Sequence, residues 1–187
     1  MTTSPWVLLG AGALTLAAAS CGPEAPVGPT FEETDALPTA ATQLEGGRIA
    51  VEVPFHATGE GVGTDAPAEP PCDEGFTATG NVAYGTGTHL GEFTSIHRQC
   101  VNFQTLEFRD GTVTYHAANG DQLRATFEGF LAPTAEPGVL SFDNPAHPVG
   151  GTGRFEGADG LFRARGLVDL NDNTFEIRVD GVLVLQK

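Results

Sequence analysis

Two stretches near the end of the chain alternate apolar and polar residues with a period of two. Phe162, Ala164, Gly166, Val168 and Leu170 share one parity, and Phe175, Ile177, Val179, Gly181, Leu183 and Leu185 share another. A helix repeats every 3.6 residues, so this spacing predicts strands with one face buried. The pattern recurs upstream. Ile49, Val51, Val53 and Phe55 alternate with Ala50, Glu52, Pro54 and His56, and Pro54 marks a strand edge or end. Residues 57–71 read as a loop rich in Gly, Pro and acid. Phe76, Ala78, Gly80, Val82 and Tyr84 predict the next apolar face, and residues 90–101 a strand with no clear alternation. Asp110-Gly111 and Asn119-Gly120 are hairpin signals. Leu123, Ala125, Phe127, Gly129 and Leu131 form a further face, and residues 139–142 a short strand. No segment carries a helical period. Many short strands with Gly-rich turns predict an all-β barrel or sandwich, and closure into a barrel removes exposed strand edges. In the last hairpin, matching the apolar faces sets Leu170 opposite Phe175, Val168 opposite Ile177 and Arg165 opposite Asp180.

Residues 150–160 read GGTGRFEGADG. No Lys-Ser/Thr follows, which excludes a P-loop, and the next segment is strand-like, which excludes a dinucleotide fingerprint. The reading is a tight corner between strands with Phe155 as an apolar plug. This motif resembles the Gly-Gly-Thr-Gly-x-Phe-x-Gly-Ala-x-Gly signature of the allene oxide cyclase barrel and dirigent-like superfamily. THLGEFT at 88–94 and AANGDQL at 117–123 resemble bacterial secreted members of that group. The resemblance covers residues 48–185 and implies an eight-stranded antiparallel barrel. It carries no catalytic residues across, because the matching motifs are structural corners.

Residues 1–20 have the apolar core and small-residue end of a signal peptide, in a run too short for a membrane span. Ala18-Ala19-Ser20-Cys21 resembles a bacterial lipobox, with Ala18 in place of the usual Leu and no Lys or Arg before the apolar run. Lipidation is expected at Cys21; the alternative is an ordinary signal peptide followed by an unrelated cysteine. Gly22 is not the aspartate associated with inner-membrane retention, so the expected location is the outer membrane of the cell envelope. Residues 21–47 hold four prolines, five acidic residues and no basic one, the composition of a disordered tether. All nine Lys and Arg lie in residues 48–187, the expected barrel domain. A formal charge of −15 argues against nucleic acid as a partner, which leaves the membrane as a partner through a lipid anchor only. With Cys21 lipidated, Cys72 and Cys100 remain to form a disulfide in an oxidising compartment.

Sites of chemistry are harder to read. The five histidines have no metal-ligand spacing, no Gly-x-Ser-x-Gly elbow occurs, and no cofactor motif is present. Polar residues on apolar parity are the remaining signal. Tyr84 and Tyr115 qualify, as do Glu92 and Arg98, which share parity with Leu90 and Ile96. These four are candidate ligand-binding residues in a barrel lumen; for Glu92 and Arg98 the alternative is a solvated face. Three functions fit: an envelope module binding a small apolar molecule or a partner, an isomerase or cyclase confining an apolar substrate, and a structural surface module.

Overall fold

The computed structural model describes residues 41–43, 49–64 and 71–187. The leader, Cys21 and most of the expected tether lie outside these residues. The described strands are β1 (Ala41–Gln43), β2 (Ile49–Thr64), β3 (Thr77–Gly87), β4 (Gly91–Asn102) and β5 (Glu107–Ala117). They continue with β6 (Gln122–Pro133), β7 (Val139–Gly151), β8 (Asp159–Asp169) and β9 (Thr174–Gln186). β1 falls in the segment expected to be tether and pairs antiparallel with the start of β2. Strands β2 to β9 run up and down, each hydrogen-bonded to the next, and β2 pairs with β9 along most of its length. The fold is therefore a closed, eight-stranded antiparallel barrel.

The two ends of the barrel differ. At one end, the glycine-rich corner between β7 and β8 carries one turn of 3-10 helix, Gly153–Phe155. Phe155 is fully buried there and joins the core with Leu90, Leu123, Ala158 and Leu183, so the plug read from the sequence is present. The turn is tied in place by Asp121, whose carboxylate accepts from the Arg154 backbone N–H and Nε. Gly153 has a φ of 57°, and a Cβ there would run into the Asp121 side chain. The first and last residues of the circuit meet at this plugged end, where Ile49 and Lys187 exchange two backbone hydrogen bonds of 2.9 Å. The turns after β4, β6 and β8 lie at the opposite end.

Several expectations are corrected. β2 continues through Gly59, Gly61 and Gly63 instead of ending in a loop after His56. Pro54 nevertheless sits where β2 has β9 on one side and a gap between β1 and β3 on the other. Asp110-Gly111 is not a hairpin. It is a bulge inside β5, with Asp110 at φ 54° and a register shift between Phe108 and Gly111. The actual turn is Phe103 to Leu106, capped by Asn102 Oδ1 accepting from the N–H groups of Gln104 and Thr105. Asn119-Gly120 does make its turn. β7 runs on past Phe142 through Pro145 and Pro148 to Gly151. Its pairing with β6 has a gap between Phe142 and Ala146, around Pro145, while β8 supports it on the other side. In the last hairpin the faces are as expected but the register differs by two. Val168 lies opposite Phe175 and Gly166 opposite Ile177, because Asp169 pairs with Thr174 across a four-residue turn. Arg163, not Arg165, faces Asp180; Arg163 bonds instead to Asp143 on β7, and Asp180 accepts from Arg178.

Cys72 and Cys100 form a disulfide, with their Cα atoms 5.6 Å apart. It fastens the segment before β3 to β4. The same segment is held by Asp73, which accepts from Arg109 Nη2 at 2.6 Å, and by Phe76, whose ring lies 3.8 Å under the Arg109 guanidinium.

Candidate functional site

Alternation along each strand sends one row of side chains into the lumen. Near the plug these rows are large and close the space: Phe55 stacks on Phe162 with ring centroids 4.2 Å apart. Tyr115 meets the edges of Phe55 and Phe93 and forms the last layer of this packed half. Beyond it the inward residues no longer fill the barrel. A cavity of about 570 Å³ extends from Tyr115, Val113, Ala146 and Ala164 toward the end that carries Phe103, Leu170 and Asn173. An eight-stranded barrel is just wide enough to be filled by side chains or to hold one small ligand. Here small residues, Ala146 and Ala164, stand where larger ones would close the space.

Phe108, Phe127, Phe142 and Phe175 contribute aromatic rings to the wall. The bulge in β5 keeps both Phe108 and Tyr115 pointing inward although they differ in parity. Polar groups enter from β3, β4 and β7: Thr79, Asn81, His97, Gln99 and Asn144. On β4 the inward row is Phe93, Ser95, His97, Gln99 and Val101. Ser95 Oγ and His97 Nε2 are 2.9 Å apart, and both side chains are buried. Tyr115, Phe127 and Phe175 surround the imidazole, with ring centroids 5.4 to 6.3 Å away. Removal from water lowers the His97 pKa to about 4, so the ring is neutral near pH 7. Burial pushes the Tyr115 hydroxyl upward in the same way, and it stays protonated. Asn144 donates through Nδ2 to the Pro145 carbonyl at 2.9 Å. The Gln99 amide oxygen is buried with no partner among the described residues.

The structure divides the four candidate residues. Tyr115 is in the lumen and 3 % exposed, as expected. Tyr84 is 62 % exposed on the outer wall, in a shallow groove with Thr58, Glu60, Arg165 and Arg178. The face of β3 is the reverse of the one expected: Thr79, Asn81, Ala83 and Gly85 point in, and Val82 and Tyr84 point out. Glu92 and Arg98 are also exposed, on the outward row of β4, and they do not meet. Leu90 misled the parity there, because it belongs to the turn before β4 and drops into the plug. His97 and Gln99 were missed for the same reason, although the run Phe93, Ser95, His97, Gln99, Val101 has an apolar residue at each end of one row.

Searches against protein-family models, curated proteins and solved structures return no match for this chain.

Proposed function

We propose that this protein is a binding module that takes a small, largely apolar molecule into the lumen of its barrel. The observation that carries the reading is the unfilled cavity of about 570 Å³ above Tyr115. Its size is that of a small-molecule site, and its aromatic and aliphatic side chains share the wall with polar groups that can orient a ligand. A barrel kept for structure alone gains stability when side chains fill such a space, since unfilled core volume costs packing energy. The exported lipoprotein reading of Cys21 complements this: a lipid anchor would hold the module at the envelope, at the outer membrane. Membership of the allene oxide cyclase and dirigent-like superfamily is part of the same proposal and rests on the glycine corner and the barrel together.

A second reading is an isomerase or cyclase that confines an apolar substrate. His97 and Tyr115 are the observation for it, a neutral imidazole and a protonated hydroxyl-bearing ring on the wall of one cavity.

Native mass spectrometry of the purified protein is expected to show a copurifying small molecule. Ala164→Leu, which places three more carbons in the cavity floor, is expected to remove that mass while the protein still melts cooperatively. A retained ligand in Ala164→Leu would place the site elsewhere, and no bound molecule in either protein would favour the structural module.

A further inference from the structure

We propose that the lumen selects an uncharged molecule carrying a carbonyl oxygen, and that this oxygen is received between the Tyr115 hydroxyl and the Nδ1–H of His97. The inference rests on the ligand-binding reading and narrows it to a chemical class.

The first argument is charge. The protein carries a formal charge of −15, yet among the described residues no Asp, Glu, Lys or Arg lines the cavity. A charged ligand would lose its water and gain no counter-ion, which is costly. The second argument is the histidine tautomer. Ser95 is fully buried, and His97 Nε2 is the partner of its hydroxyl among the described residues. If Nε2 carried the proton, the Ser95 O–H would be left buried without an acceptor. A buried donor without a partner costs more than a hydrogen bond returns. Ser95 therefore donates to Nε2, and the single proton of the neutral ring sits on Nδ1. Nδ1 has no hydrogen bond to a described residue, on a ring that lines the cavity.

The third argument is the pairing of donors. Tyr115 lines the same cavity, its hydroxyl has no acceptor among the described residues, and its ring centroid is 6.3 Å from that of His97. Two neighbouring donors match the two lone pairs of one carbonyl oxygen, which brings no donor of its own to satisfy. The aromatic rings around the pair suit an apolar body attached to that carbonyl. Ser95 is a positioning residue in this scheme, since it acts through His97.

The test uses three aromatic probes of similar size on the full chain: 2-acetylnaphthalene, 2-isopropylnaphthalene and 2-naphthoate. Affinities are measured by calorimetry for wild type, Tyr115→Phe and Ser95→Ala. Tyr115→Phe keeps the ring and is expected to weaken the ketone roughly two- to tenfold, the range of one neutral hydrogen bond, without weakening the hydrocarbon. The carbonyl stretch of the bound ketone should lie at lower frequency in wild type than in Tyr115→Phe, and Ser95→Ala should shift it as well. Naphthoate should bind more weakly than the ketone. Equal changes for ketone and hydrocarbon on Tyr115→Phe, or naphthoate binding as well as the ketone, would overturn the proposal and leave lumen binding intact. If neither the ketone nor the hydrocarbon binds wild type, the lumen reading falls and this proposal with it.

Discussion

His97 is held neutral by its surroundings, and that has a consequence for stability. Its pKa falls from the ordinary 6.5 to about 4 because burial disfavours the imidazolium. Between these values the unfolded chain binds a proton that the native protein does not. Stability is therefore complete above pH 6.5, falls as pH drops toward about 4, and levels off below it, a loss of about 3 kcal/mol from this one group. Asp121, Asp143 and Asp180 are lowered chiefly by hydrogen bonds from Asn119, Arg163 and Arg178 in turn, and they extend the loss to still lower pH. Urea midpoints followed across this window should fall in wild type and fall much less in His97→Gln. Parallel curves for the two proteins would assign the loss to other groups. At the scale of single residues the sequence was a partial guide. Tyr115 was legible because β5 keeps a clean row of Val113, Tyr115 and Ala117 beyond its bulge. Tyr84 was not, because the inward row of β3 carries Thr79, Asn81 and Gly85, and a lumen that stays open does not demand apolar side chains.

Strands and their connections follow the sequence more closely, and their errors have local causes. The alternation of β6, β8 and β9 gave the right faces, because one side of each meets the lumen and the other meets water. The last hairpin slipped by two because alternation fixes parity but leaves the turn length open. β7 was read only as residues 139–142; it runs on through Pro145, beside a gap in the β6 ladder, and Pro148, beyond the end of the β8 ladder. The link between Cys72 and Cys100 belongs to this scale as well. It spans 28 residues, for which chain entropy gives about 3–4 kcal/mol. Replacing both cysteines with Ser should lower the unfolding free energy by about that amount and the denaturation midpoint with it. The barrel should persist, since residues 71–76 keep the Asp73–Arg109 ion pair and the Phe76–Arg109 stack. A midpoint unchanged by the double substitution would mean that those two contacts alone hold the segment.

At the scale of the whole molecule, the closed circuit of β2 to β9 was expected from the resemblance carried by the glycine corner, and a lumen holding a ligand was among the readings. The shape of that lumen was not legible, because it depends on which row of each strand points inward, and the row of β3 was misread. The anchor is a separate question. Cys21→Ser should move the protein from the membrane fraction to the soluble one without changing its melting temperature, because the barrel has its own core. A variant that stays with the membrane would point to attachment by another route. The paired ends at Ile49 and Lys187 have one more consequence. A short peptide joining residue 187 to residue 49, with the chain before residue 49 removed, would turn β2 to β9 into a covalent ring. The ring could then be cut at an exposed turn of the opposite end, such as Gln104, to give circularly permuted chains. Each permutant would keep β2 to β9 beside their present neighbours, with its new ends at the mouth instead of beneath the plug.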